Sequence, residues 1–217
     1  MYSYVIFDLD GTLLNTIDDL ADAGNHVCAL NGWPAHTVEE YKRMVGNGIP
    51  KLVERFAPAG TDRAALDRAF DEFMAWYGIH KEHKTAPYPG MHQLALDLKE
   101  VGVSAAVLSN KADEMAGPVV EHYYPGVFPV VQGALSGLPT KPDPTLLHKL
   151  MERMGADPKR TLFVGDSSVD IRTAKNGGLD SCGVLWGFRS RQELEAEGAD
   201  YLAETPAELI KVVLGDG

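Results

Sequence analysis

The sequence predicts an α/β fold built on a doubly wound, mostly parallel, Rossmann-like sheet. Apolar runs of β-strand type recur along the chain, and amphipathic helical patterns lie between most of them. Polar residues able to do chemistry follow several of these runs, at the edge where parallel sheets place their sites. Strands are expected at residues 4–7, 103–108, 127–131, 161–164 and 179–185.

The spacing of apolar residues predicts the helices that cross between these strands. Residues 91–98 and 147–154 each carry apolar side chains at positions i, i+3, i+4 and i+7, which indicates two crossover helices. Residues 205–208 read Thr-Pro-Ala-Glu, a capping box with proline at the first helical position. A last helix is therefore expected to run from there to about Leu214.

The segment 15–85 breaks the alternation because it contains helical patterns and no convincing strand. It is predicted to be an inserted, all-helical domain that acts as a lid over the crevice at the carboxyl edge of the sheet. The α/β core would then consist of residues 1–14 and 86–217. Four helices are expected in the insertion, at residues 18–30, 37–44, 49–56 and 62–77.

Composition narrows the class of partner. The chain has 20 Lys and Arg residues against 31 Asp and Glu residues, and the net charge of −11 argues against a long polyanion such as DNA. It has no apolar run of about 18 residues and no basic N-terminal segment followed by an apolar one, so we expect neither a membrane span nor a signal peptide. A cytoplasmic monomer or homodimer is predicted. Cys28 and Cys182 are expected to be reduced, buried thiols.

Two aspartates directly follow the first predicted strand. Residues i and i+2 of an extended chain share a face, so Asp8 and Asp10 are expected to point into one crevice, and Gly11 lets the chain turn there. Two carboxylates this close repel each other. A bound cation or a retained proton would relieve that repulsion, and either group could take part in a reaction.

Three further polar clusters fall at or beyond apolar runs and should meet the aspartates at one sheet edge. They contain Ser109 with Asn110, then Lys141 before a proline, and then Asp166 with Asp170 in a Gly-Asp-x-x-x-Asp pattern. Each cluster alone is more typical of a helix cap, a surface charge or a turn than of a catalytic site. Their order and their positions at strand ends favour a single site.

Taken together, the four clusters resemble the four motifs of the haloacid dehalogenase (HAD) superfamily, specifically its phosphatase branch. The resemblance spans most of the chain, and the helical insertion resembles the C1-type cap of that superfamily. Residues 45–48 (Val-Gly-Asn-Gly) and 87–90 (Pro-Tyr-Pro-Gly) resemble the phosphoglycolate phosphatase group. Asn15 is a departure, because many relatives carry an acidic residue there; it concerns hinge contacts and not the chemistry.

The resemblance and the needs of phosphoryl transfer assign the same roles to the acidic residues. Asp8 is expected to be the nucleophile that forms an aspartyl phosphate, and Asp10 the general acid and base. Mg²⁺ would be held by Asp8, the backbone carbonyl of Asp10, and Asp166. Asp170 would orient this shell without binding the ion.

The predicted phosphate-binding groups are the Lys141 ammonium, the Ser109 hydroxyl, the Asn110 backbone N–H and the Thr12 hydroxyl. The expected activity is hydrolysis of a small phosphomonoester, with 2-phosphoglycolate as the best single candidate. A substrate with a carboxylate needs one more cation. Lys42, Arg43 and Lys111 are candidates, and the sequence leaves the choice open.

Other activities remain open at this stage. One alternative is a phosphomutase of the β-phosphoglucomutase type, which uses the same aspartyl phosphate, although Thr12 favours hydrolysis. Another alternative is a phosphatase that acts on a different small metabolite. Haloacid dehalogenation is disfavoured because that branch lacks the second aspartate, present here as Asp10. A phospho-aspartate signalling module is a distant alternative that would need no lid. Residues 186–189 either border the site or pack as an ordinary loop.

Overall fold

The computed structural model describes residues 1–215 and divides the chain into two compact units. One unit comprises Met1–Leu14 together with the chain from Pro87 onward, and the other comprises Asn15–Ala86. The chain thus leaves the first unit once and returns to it once. Among the described residues, no helix is both long enough and apolar enough to cross a membrane.

The two units together contain eight strands and ten α-helices among the described residues, and strands alternate with helices along the first unit. The strands are β1 Tyr4–Phe7, β2 Leu14–Asn15, β3 Ala86–Pro87, β4 Ser104–Ala112, β5 Val130–Ala134, β6 Thr161–Gly165, β7 Asp180–Val184 and β8 Tyr201–Ala203. The helices are α1 Ile17–Asn31, α2 Val38–Met44, α3 Ile49–Phe56, α4 Arg63–His80, α5 Met91–Glu100, α6 Asp113–Tyr123, α7 Thr145–Met154, α8 Ser168–Gly177, α9 Arg191–Ala196 and α10 Pro206–Leu214.

A six-stranded sheet in the order β5-β4-β1-β6-β7-β8 forms the centre of the first unit. Every neighbouring pair is parallel, and β1 lies between β4 and β6, with Phe7 opposite Val107 and Val164. The predicted parallel α/β sheet is confirmed. β2 and β3 pair separately as a two-stranded sheet.

The sheet is buried on both faces, which explains why β1 is apolar throughout. Val5 and Phe7 belong to one hydrophobic cluster, whereas Ile6 between them belongs to another. Alternate side chains of a strand point to opposite faces, so a strand covered on both sides needs an unbroken apolar run. The same burial places Cys182 of β7 in the core, where burial raises the pKa of its thiol to about 12.

Several predicted boundaries were wrong. The strand expected at residues 103–108 continues to Ala112, so Ser109 and Asn110 lie inside β4 and not beyond it. Residues 109–111 are polar, so the apolar run that marks the strand in the sequence stops before the strand ends. The register with β5 shifts between Leu108 and Ala112. The strand expected at residues 127–131 instead begins at Val130 and ends at Ala134.

The second unit consists of the four predicted helices α1 to α4. Thr37 caps α2: its hydroxyl accepts a hydrogen bond from the Glu40 backbone at 3.3 Å, and its own N–H donates to the Glu40 carboxylate at 2.7 Å. Aromatic rings fill the centre, where Phe73 lies 6.3 Å from Phe56 and 5.4 Å from Tyr77 between ring centroids. These three rings are buried and form part of the core of the helical unit.

A buried carboxylate ties the two ends of this helical unit together. Asp19 of α1 accepts hydrogen bonds from the Thr85 N–H and hydroxyl, both at 2.8 Å, and from the Lys84 N–H at 3.0 Å. Asp19 is 1% exposed, so water cannot replace these bonds.

We expect Asp19→Ala to lower the free energy of unfolding by about 3 kcal/mol, because it leaves buried backbone donors without this acceptor. Asp22→Ala is the matched control on the same helix. Its carboxylate forms a surface ion pair with Lys84 at 2.6 Å and should be worth less than about 1 kcal/mol. Urea unfolding of both variants measures the difference, and equal losses would show that the buried bonds of Asp19 have no special weight.

Candidate active site

The site begins at the carboxyl end of β1. The Asp8 N–H donates to the Val164 carbonyl of β6 at 2.8 Å, which continues the parallel ladder one residue beyond the strand. This fixes the direction of a buried carboxylate whose Oδ1 accepts a hydrogen bond from Lys141 Nζ at 2.6 Å. Asp8 is therefore held by its backbone and by its side chain.

Lys141 is the centre of the buried charge cluster. Its ammonium also donates to Asp170 Oδ1 at 2.7 Å, and the residue is 4% exposed. The Asn110 side chain holds its backbone from both sides: Asn110 Oδ1 accepts from the Lys141 N–H at 2.9 Å, and Asn110 Nδ2 donates to the Lys141 carbonyl at 3.1 Å. The amide of β4 thereby positions the lysine that bridges the two carboxylates.

Asp166 and Asp170 follow β6 on one short segment. The Phe188 N–H donates to Asp166 Oδ2 at 2.7 Å, and the Thr12 hydroxyl lies 3.4 Å from Asp166 Oδ1. Asp170 Oδ2 accepts hydrogen bonds from the Ser167 N–H and hydroxyl at 3.1 and 2.7 Å. Carboxylate oxygens of Asp8, Asp166 and Asp170 lie within 4.8 Å of one another.

Glycine is required where the 186–189 loop meets this cluster. A Cβ at Gly187 would overlap both the Asp166 side chain and the Gly11 carbonyl oxygen. The neighbouring Trp186 donates from its indole N–H to the Thr12 carbonyl at 3.0 Å. Of the two interpretations of this loop, the structure supports the one in which it borders the site.

A second buried lysine lies beside the other aspartate. Lys111 Nζ is 3.2 Å from Asp10 Oδ1, with side chains 3% and 16% exposed. The Lys111 N–H donates to the Ser109 hydroxyl oxygen at 3.1 Å, so Lys111 is also hydrogen-bonded to a predicted phosphate-binding residue. Asp8 and Asp10 therefore each form an ion pair with a different buried lysine.

The charges of the cluster fit a divalent cation. Asp8, Asp10, Asp166 and Asp170 bring four carboxylates against the two buried lysines, and Arg189 also acts on Asp166, so the carboxylates outnumber the cations when all are ionised. Burial raises the pKa of Asp8 above its usual range, with Asp170 and Asp166 adding to the effect and Lys141 opposing it. Burial and Asp170 raise the pKa of Asp166 to about 7. A divalent cation that prefers oxygen ligands would reduce the repulsion among these carboxylates.

The model of the haloacid dehalogenase-like hydrolase family matches residues 5–184, which include all four polar clusters. The chain belongs to the haloacid dehalogenase-like hydrolase family. It is 35% identical to a phosphoglycolate phosphatase of Pseudomonas putida over 92% of this chain and 75% of that protein. It is 32% identical to a phosphoglycolate phosphatase of Vibrio parahaemolyticus over 96% of this chain and 95% of that protein.

Solved structures give the same result. A protein from Lactobacillus delbrueckii subsp. bulgaricus that is described as a phosphoglycolate phosphatase superposes on this chain with a TM-score of 0.92, over 98% of each chain and at 31% identity. The predicted resemblance to the haloacid dehalogenase superfamily and to its phosphoglycolate phosphatase group is therefore confirmed.

The haloacid dehalogenase-like fold brings together Asp8, Asp166, Asp170, Lys141 and Asn110, five of the residues that the sequence marked for one site. Sequence reasoning missed two features. It gave the Asn110 side chain no role, and it left Lys111 as one of three candidate cations. The position of Lys111 two residues after Ser109, on the strand next to β1, is the signal that could have placed it beside Asp10.

Proposed function

We propose that this chain is a Mg²⁺-dependent phosphatase that hydrolyses a small phosphomonoester through an aspartyl phosphate on Asp8. The observation that carries the proposal is the buried Asp8–Lys141–Asp170 cluster at the carboxyl end of β1, β4 and β6, with Asp10 two residues from the nucleophile. The best candidate substrate is 2-phosphoglycolate, because the relatives that cover most of the chain are phosphoglycolate phosphatases.

The first half of the reaction transfers the phosphoryl group to the enzyme. A carboxylate oxygen of Asp8 attacks phosphorus in line while the bond from phosphorus to the ester oxygen breaks. Asp10 gives its proton to the departing oxygen, so that an alcohol leaves instead of an alkoxide. Asp8 is buried and held by Lys141, and this limits its motion away from the line of attack.

The second half returns the enzyme to its starting state. Asp10, now ionised, takes a proton from a water molecule that attacks the phosphorus of the aspartyl phosphate. The bond between phosphorus and the Asp8 oxygen breaks, and inorganic phosphate leaves. Asp10 regains the proton that it lost, so one residue serves both steps.

The remaining polar groups stabilise charge on the transferring phosphoryl oxygens. Lys141 supplies a fixed cation next to Asp8, and its contact with Asp170 keeps it in place as charge moves. The Ser109 hydroxyl and the Asn110 backbone N–H are the proposed neutral donors, with the Thr12 hydroxyl nearby. Asn110 has a second task, because its side-chain amide also holds the Lys141 backbone.

Asp8, Asp166 and the backbone carbonyl of Asp10 are the proposed ligands of Mg²⁺, and Asp170 orients them. When bound, the ion neutralises negative charge on the nucleophile and the phosphoryl group. The helical unit, residues 15–85 in our proposal, corresponds to a C1-type cap that excludes water during transfer. The catalytic core would be residues 1–14 and 86–217.

The proposal is tested by phosphate release from a panel of small phosphomonoesters that contains 2-phosphoglycolate and hexose phosphates. The expected result is many turnovers in Mg²⁺, a clear preference for 2-phosphoglycolate, and loss of release in EDTA. A preference for another phosphomonoester would change the substrate but not the reaction. Absence of release across the panel would contradict hydrolysis and favour the mutase alternative.

Mg²⁺ should also stabilise the fold, because it relieves repulsion among the buried carboxylates. At a concentration about 100 times the dissociation constant, the melting temperature of metal-free protein should rise by roughly 5–10 °C. Asp166→Asn removes one proposed ligand and should lose the shift, whereas Asp71→Asn, the same change at an exposed position of α4, should keep it. An undiminished shift in Asp166→Asn would place the ion elsewhere.

A further inference from the structure

We infer that Lys111 recognises a carboxylate on the leaving group of the substrate. The inference rests on the proposed function and adds to it the residue that selects the substrate. Lys111 lies on β4 with its side chain 3% exposed, and its ammonium is 3.2 Å from Asp10 Oδ1. Buried lysines are uncommon because their desolvation is costly, so one placed next to a catalytic acid calls for an explanation.

The two buried lysines divide the site between the two ends of the substrate. Lys141 contacts the nucleophile Asp8 and therefore belongs to the phosphoryl end. Lys111 contacts Asp10, whose task is to protonate the departing oxygen, and therefore belongs to the leaving-group end. An ammonium group has three N–H donors, so its contact with Asp10 does not by itself prevent Lys111 from binding a substrate carboxylate.

Distance supports this division. Asp10 must come within hydrogen-bond distance of the departing oxygen to protonate it, which places that oxygen at most about 6 Å from Lys111 Nζ when Asp10 Oδ1 makes the bond. In 2-phosphoglycolate a single methylene separates this oxygen from the carboxylate. A short anionic leaving group therefore carries its charge to the neighbourhood of Lys111. Lys42 and Arg43, the other two candidate cations, lie on α2 of the helical unit.

The test compares two substrates that differ only in that charge. In 2-hydroxyethyl phosphate the carboxylate of 2-phosphoglycolate is replaced by a neutral hydroxymethyl group. For each enzyme form the quantity measured is the ratio of kcat/KM for 2-phosphoglycolate to kcat/KM for 2-hydroxyethyl phosphate. A shared loss caused by a displaced Asp10 cancels in this ratio.

Lys111→Met should lower the ratio about 100-fold, because it removes the buried partner of the carboxylate. Lys111→Gln removes the charge but keeps a polar donor beside Asp10, and it should lower the ratio to a similar extent. It replaces Lys111→Met in the experiment if that variant does not fold. Lys111→Arg, which keeps a positive charge, should recover part of the preference. Lys149→Met removes one exposed charge from α7 and should leave the ratio unchanged.

The outcomes separate this inference from the proposed function. A wild-type preference for 2-phosphoglycolate that persists in Lys111→Met or Lys111→Gln would overturn the role of Lys111 and leave the phosphatase intact. Equal losses for both substrates in these variants would show that Lys111 only positions Asp10. If the wild-type enzyme has equal kcat/KM values for 2-hydroxyethyl phosphate and 2-phosphoglycolate, both the proposed substrate and the role of Lys111 are overturned.

Discussion

Asp8→Asn is expected to lower kcat by at least about 10⁴-fold, because a carboxamide cannot form the acyl phosphate. Its fold should survive. Asparagine has the shape of aspartate, and burial already raises the pKa of Asp8 and so disfavours its charged form. Phosphate release, with circular dichroism as a check on folding, measures both effects.

Trapping the intermediate adds a direct readout. Wild-type enzyme quenched in acid during turnover should carry a phosphoryl group on Asp8 in a fraction of the molecules, detectable by mass spectrometry of the peptide, and Asp8→Asn should carry none. Asp71→Asn, at an exposed position of α4, is the matched control and should behave as wild type. Turnover by Asp8→Asn within about 100-fold of wild type would mean that water attacks the substrate directly.

The location of the site could be predicted because it depends on local rules. Asp8 and Asp10 follow an unbroken apolar run, which marks the end of a buried parallel strand. Ser109 and Asn110 lie in the last part of β4, and Asp166 directly follows β6, the two strands that flank β1 in the sheet. Parallel neighbours bring such residues together whatever the details of packing.

The partners within the site depend on register, which the sequence does not display. β4 runs through Ser109, Asn110 and Lys111, and its pairing to β5 shifts between Leu108 and Ala112, a position that the sequence does not mark. In this register the Asn110 amide meets the Lys141 backbone, and Lys111 meets Asp10. A one-residue change of register would reverse both orientations.

The missed elements of the fold have equally physical causes. β8 has three residues and α9 has six, too few to show a period. α6 contains Gly117 and Pro118 in its interior, residues that usually end a helix. It forms nonetheless because tertiary packing overrides propensity: Met115, Ala116, Val119 and Val120 bury one of its faces.

Asp10→Asn is expected to lower kcat/KM for 2-phosphoglycolate by about 10³-fold, since neither proton transfer retains its donor or acceptor. The two half-reactions should respond differently to the leaving group. With 4-nitrophenyl phosphate the departing phenolate needs no proton, so phosphorylation of Asp8 should stay fast. Water attack on the acyl phosphate still lacks its base and should become rate-limiting.

The expected signature is a burst of nitrophenolate close to one equivalent of enzyme, followed by slow turnover, measured by stopped-flow absorbance. Wild type should show a smaller burst or none, because Asp10 accelerates the second step. Equal slowing of both steps without a burst would mean that Asp10 acts by holding neighbouring groups, Lys111 among them, and not by moving protons. The burst thus distinguishes a proton carrier from a structural carboxylate at the same position, which loss of steady-state activity alone cannot do.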